Sequence, residues 1–258
     1  VDLLRAGRVT PLELLQVVEE RLVAVEPAVH AVPIVCLERA RERAAKLVHP
    51  AEPPPGYLYG LPVLIKDTMA VEGVLFTEGS PLQADFVPDE SHPLVLQLEA
   101  RGAVVVGKTN VPEFAAGSQT FNPLFPTTVS PWDTRATAGG SSGGAAAALA
   151  SCECWLATGS DLGGSLRTPA AFCGVVGFRV SPGRVHAGTA KKSGPLHGLH
   201  PTNGPMGRCV RDVALLLDAI EGNTGWDFQQ PPLPTGQTWE SIAIAGAAEE
   251  SPRLRLAW

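Results

Sequence analysis

Two glycine–serine runs carry the chemistry-bearing residues of this sequence: Ala138-Gly139-Gly140-Ser141-Ser142-Gly143-Gly144 and Gly159-Ser160-Asp161-Leu162-Gly163-Gly164-Ser165-Leu166-Arg167. A serine hydroxyl attacks a carbonyl only when a base within hydrogen-bond reach takes its proton. Glycines beside such a serine leave backbone N–H groups unshielded, which is what a developing oxyanion requires. A phosphate cradle is one reading of glycine-rich loops, but G-x-x-x-x-G-K-[ST] needs a lysine that follows neither run. A nucleophile elbow is a second: Gly139-Gly140-Ser141-Ser142-Gly143 fits G-x-S-x-G, and Asp161 and His186 follow in Ser-Asp-His order. An elbow springs from a buried strand, however, and Pro131-Trp132-Asp133-Thr134-Arg135 reads as a turn. The third reading makes Ser165 the nucleophile, with the N–H groups before it around the oxyanion. No histidine lies near Ser165 in sequence, and a lysine kept neutral by burial is the alternative base. Lys66 and Lys108 each end an apolar strand, so residue physics alone leaves them tied. An ion pair of Lys66 with the adjacent Asp67 is the structural reading of the first.

The elements that must position these groups alternate. Thr10-Pro11-Leu12-Glu13 is a helix start with a capping box, and Leu14, Leu15, Val18, Leu22 and Val25 then share one face. A charged, solvent-facing helix is expected over 37–47, and a proline-rich linker over 49–56 leads into the buried strand 61–66. A helix over 93–101 ends at Gly102 and is followed by the β-branched strand 103–107. Helix 144–150 runs into strand 155–157, and helix 211–220 precedes an apolar alternation at 254–258 that reads as a strand just starting. Alternation with continuous apolar strands predicts an α/β fold: a mixed, mostly parallel central sheet with helices on both faces.

Composition narrows the class. The 258 residues carry 27 Gly, 24 Pro, 45% hydrophobic residues and a net charge of −6. That is too apolar for a disordered chain, and basic residues cluster only in short pairs such as Lys191-Lys192, so no direct nucleic-acid contact is expected. No run is long enough to span a bilayer and no signal peptide is visible. Five cysteines, Cys36, Cys152, Cys154, Cys173 and Cys209, read as reduced thiols of a cytoplasmic protein. Neither Cys152/Cys154 nor His197/His200 completes a zinc-site spacing, so no metal is expected.

Residues 139–170 resemble the signature of the amidase signature family of serine hydrolases. The pattern runs through Gly139-Gly140-Ser141-Ser142-Gly143-Gly144, Leu149-Ala150, Gly159, Asp161, Gly163, Ser165-Leu166-Arg167 and Pro169-Ala170. It extends through Gly60–Asp67, Gly107–Phe114 and Ala171–Gly177, covering nearly the whole chain. The resemblance implies a cofactor-free Ser-Ser-Lys triad: Ser165 as nucleophile, Ser141 as proton relay behind a cis Gly140-Ser141 bond, and Lys66 as base. It implies an oxyanion hole from the N–H groups of Leu162, Gly163, Gly164 and Ser165, support from Ser142, and an Asp161–Arg167 pair holding the loop. Lys108 becomes structural. Residues 1–258 would form the N-terminal portion of a longer catalytic domain, incomplete at the C-terminus. The expected substrate is a small-molecule amide, and the assembly the resemblance allows is a homodimer. The alternatives are the glutaminase-type subunit of a tRNA-dependent amidotransferase, working with partner subunits, and an inactive truncated amidase.

Overall fold

Thr10 caps the first long helix as its sequence requires: its Oγ1 accepts the Glu13 N–H at 3.2 Å, and its own N–H donates to Glu13 Oε2 at 2.7 Å. A computed structural model describes residues 1–186, 201–222 and 236–247. Helices α1 (Asp2–Arg5) and α2 (Pro11–Val29) are followed by β1 (Ile34–Val35), α3 (Leu37–Lys46), β2 (Pro62–Lys66), α4 (Pro93–Ala100) and β3 (Val104–Thr109). A short ribbon, β4 (Val129–Ser130) and β5 (Asp133–Thr137), precedes α5 (Gly143–Ala150), β6 (Leu156–Asp161), α6 (Arg167–Cys173) and β7 (Val176–Gly177). The strand β8 (Thr202–Gly207) and helices α7 (Val210–Ile220) and α8 (Trp239–Ala247) complete the described elements.

Six strands form one sheet in the order β1-β3-β2-β6-β8-β7. β3, β2 and β6 pair in parallel at its centre, whereas β1 and β8 run against their neighbours. Because β7 is antiparallel to β8, it shares the direction of β6, so four of the six strands point one way. The β2–β3 register shifts by one residue, from Val63↔Val105 to Leu64↔Gly107.

Alternate residues of these strands feed two cores. Leu64, Val104, Val106 and Ala157 pack with α2, α3, α5 and α6 on one face. Val63, Ile65, Val105 and Leu156 pack with α1, α4 and α7 on the other. Helices thus cover both faces. Helix α3 is less solvent-facing than its charges imply: Ala40 and Ala44 are buried, and Arg39 and Arg43 reach across to Glu99. No helix among the described residues is long and apolar enough to cross a membrane. The expected strand at 254–258, Lys191-Lys192, His197 and His200 lie outside the described residues.

Candidate active site

Lys66 ends a strand, Pro-Val-Leu-Ile-Lys, whose five residues are all buried. Its side chain has no exposure, and Nζ reaches Ser141 Oγ at 2.7 Å, Ser142 Oγ at 2.9 Å and Ser160 Oγ at 2.9 Å. Hydroxyls solvate an ammonium less well than water does, and no carboxylate touches it. Burial therefore pushes the Lys66 amine down to about 7, with the more distant Asp161 charge opposing the shift. The ammonium form donates to all three hydroxyls. The neutral amine keeps two of those bonds and accepts the third, which suits an amine that takes a serine proton.

Ser141 and Ser142 sit in the turn entering α5, and the Gly140-Ser141 bond is cis. The turn is held from several sides. Thr120 Oγ1 donates to the Gly139 carbonyl at 2.8 Å, and the Ser142 N–H donates to the Ser165 carbonyl at 3.3 Å, joining the two serine loops. Glycine is needed here for contact as much as for N–H access. A Cβ on Gly140 would lie 2.8 Å from Gln119 N, and one on Gly144 would lie 2.4 Å from Asn110 N. Both neighbours are main chain and have nowhere to go.

Ser165 is half-buried in the turn between β6 and α6. The buried Asp161 organises that turn, accepting from Gly164 N–H (2.9 Å), Leu166 N–H (3.2 Å), Arg167 Nε (3.0 Å) and Arg179 Nη1 (3.0 Å). Arg179 also donates to the Asp161 carbonyl. Burial opposes the Asp161 charge, but the bonds from Arg167, Gly164 and Leu166 outweigh it and hold the carboxyl at about 2. Here the structure departs from the expected donor set, because the Gly164 N–H is turned inward to Asp161. The N–H groups of Leu162, Gly163 and Ser165 have no partner among the described residues, and Leu162 and Gly163 are exposed. With its carboxylate held by two arginines and two main-chain N–H groups, Asp161 has the role of a loop clamp, not of a histidine's partner in an elbow triad.

Lys108 resolves differently from Lys66. It forms an ion pair with Asp67, donates to the Leu75 carbonyl at 3.5 Å and lies 4.4 Å from the Phe76 ring centre. Burial lowers its pKa, and Asp67 works against that. Asp67 also accepts from Thr77 Oγ1 at 2.6 Å. Asp67 is thus the partner of Lys108, not of its sequence neighbour Lys66. Two groups of the site escaped the sequence reading. Ser160 lay inside the quoted glycine–serine run without a role, and its position as third hydroxyl on Lys66 follows from β6 reaching as far as Asp161. Arg179 carried no local signal at all. Among the described residues no group of three His, Cys, Asp or Glu could hold a metal ion.

A mixed sheet covered on both faces, with a lysine–serine cluster where its strands meet two glycine loops, defines the class of amidase signature proteins. The family profile described as Amidase matches residues 13–257, and the chain belongs to that family. The A component of the glutamyl-tRNA(Gln) amidotransferase of Rippkaea orientalis is 42% identical over 218 residues, 83% of this chain and 44% of that protein. Among solved structures, 6-aminohexanoate cyclic dimer hydrolase complexed with substrate matches with a TM-score of 0.82 and 32% identity, over 91% of this chain and 48% of its own. Peptide amidase from Stenotrophomonas maltophilia matches at 0.77 and 29%, over 94% and 51%. The chain spans about half the length of the relatives it matches.

Proposed function

We propose that this chain carries the catalytic residues of an amidase, which hydrolyses a carboxamide to a carboxylic acid and ammonia or an amine. The observation that carries the reading is the buried Lys66 amine, 2.7 Å from Ser141 Oγ and surrounded by hydroxyls. Ser165 Oγ attacks the amide carbonyl carbon, gives its proton to Ser141 Oγ, and Ser141 passes its own proton to neutral Lys66. The carbonyl oxygen becomes an oxyanion, to which Leu162, Gly163 and Ser165 N–H donate. Collapse of the adduct breaks the C–N bond while the proton returns from Lys66 through Ser141 to the leaving nitrogen. Water then adds to the Ser165 ester by the same relay and releases the acid. Ser142 and Ser160 hold Lys66, and Asp161 with Arg167 and Arg179 holds the nucleophile's turn. No step calls on a cofactor.

Turnover of a panel of aliphatic, aryl and amino-acid amides, with fluorophosphonate labelling of the active serine, tests the reading. Ser165→Ala is expected to abolish both, and Lys66→Ala to lower the rate by about 10²–10⁴-fold, the range of general-base catalysis. A silent Lys108→Ala beside an active Lys66→Ala overturns the assignment. A second reading, favoured by the 42% identity to an amidotransferase component, is a glutaminase-type subunit that works only with partners. Co-purification of a partner, with glutamine hydrolysis confined to the complex, distinguishes it from a free amidase.

A further inference from the structure

The ladder between β2 and β6 is short. Two positions pair, Val63 with Leu156 and Leu64 with Ala157, and the ladder ends there. β6 continues to Asp161 against β8 on its other side, with Thr158↔Pro205, Gly159↔Gly204 and Ser160↔Asn203. β2 continues to Lys66 against β3. Lys66, two positions past the end of that ladder, carries the amine that meets Ser141, Ser142 and Ser160. A strand that leaves its neighbour exposes main-chain N–H groups, and a buried N–H needs an acceptor. One side chain supplies it: Thr158 Oγ1, with no exposure of its own, accepts the Lys66 main-chain N–H at 3.0 Å.

We propose that Thr158 is a positioning residue for Lys66: its hydroxyl ties the Lys66 main chain to β6 where the ladder stops, and so fixes the amine against its three serine hydroxyls. The inference rests on the reading of Lys66 as the base. Thr158 touches neither substrate nor reacting atom. It acts by holding the end of β2 against β6 through the Lys66 main chain. Without that bond the end of β2 is freed and Lys66 can swing toward solvent.

Thr158→Val keeps the shape of the side chain and removes its acceptor, whereas Thr158→Ser keeps the acceptor. The pseudo-first-order rate of Ser165 labelling by a fluorophosphonate, followed against pH in parent and variants, reads the ionisation of Lys66 through the nucleophile. Lys66 is also titrated directly by NMR of ¹³Cε-labelled lysine, its signal assigned with Lys66→Met. The parent midpoint is expected at about 7 by both measurements. In Thr158→Val the midpoint moves up by about one unit or more, because a better hydrated amine holds its proton more tightly. Labelling at pH 7 then falls about fivefold or more, and recovers at alkaline pH. Thr158→Ser restores the parent midpoint. A variant that only loses stability lowers the melting temperature and leaves the midpoint in place. Superimposable midpoints for Thr158→Val and parent overturn the inference. Failure of the parent to label at Ser165, with the Lys66 NMR midpoint still moved by Thr158→Val, sinks the base assignment and leaves the positioning role standing.

Discussion

Lys66 and Lys108 are both fully buried, and what separates them is the company each keeps. Three hydroxyls surround one amine and a carboxylate faces the other. A buried lysine among neutral dipoles gives up its proton readily, whereas one paired with a carboxylate stays charged as half of an ion pair. The rate of Ser165 acylation is therefore expected to rise with pH through about 7 and level off above it, as kcat/KM against pH would show. An acid limb below 6, or none, refutes the assignment. Asp161 runs the opposite way. Its folded-state pKa of about 2 lies below the usual 3.8, so its contribution is fully present above about pH 4 and lost as pH falls through 2. Asp161→Asn should lose about 2 kcal/mol near neutrality, with parent and variant melting temperatures converging toward pH 2. The serines and Asp161 were legible because they share two short, strictly spaced runs, whereas Lys66 was told from Lys108 only by the family resemblance. Arg179, Thr158 and Ser160 were not, since each acquires its role only through strands brought together by the fold.

At the scale of elements, the second glycine run proves to be strand at its start. Gly159-Ser160-Asp161 has little β propensity, and what makes it a strand is pairing with residues more than forty positions away in β8. β8 itself, Thr-Asn-Gly-Pro-Met-Gly, reads from composition as irregular chain. By contrast β2, β3, the start of α2 and helices α4, α5 and α7 were readable within a residue or two, because apolar runs and caps are local signals. Glycines at the start of α5 mark another limit of local reasoning. In an exposed helix, Gly→Ala stabilises by about 1 kcal/mol. Gly144→Ala should instead destabilise by about 1–3 kcal/mol, because its methyl would meet Asn110 N at 2.4 Å. Urea unfolding of the single variant measures the sign, and a stabilised variant refutes the close packing.

At the scale of the whole molecule, the sheet divides two cores and seals charged groups on each side of it. Glu153, fully buried in the turn after α5, is one of them. Burial first, then the neighbouring Glu26, raise its carboxyl well above the usual carboxylate range. The folded protein thus keeps a proton that the unfolded chain gives up, and stability should fall as pH rises above about 4.5. Glu153→Gln should flatten that slope, gaining melting temperature over the parent between pH 7 and 9. Equal slopes would show that Glu153 ionises normally. The one-residue shift in the β2–β3 ladder has a related consequence for the two lysines. Continued from Val63↔Val105 without it, the register would set Lys66 directly beside Lys108, both on one face. Neighbouring strands lie about 4.8 Å apart, and two ammonium groups at that distance repel by on the order of 3 kcal/mol at an effective dielectric of about 20. With the shift, Thr109 stands beside Lys66 and Lys108 turns to the opposite face, toward Asp67. A single extra residue in β3 thereby insulates the hydroxyl-bound Lys66 amine from the ion-paired Lys108.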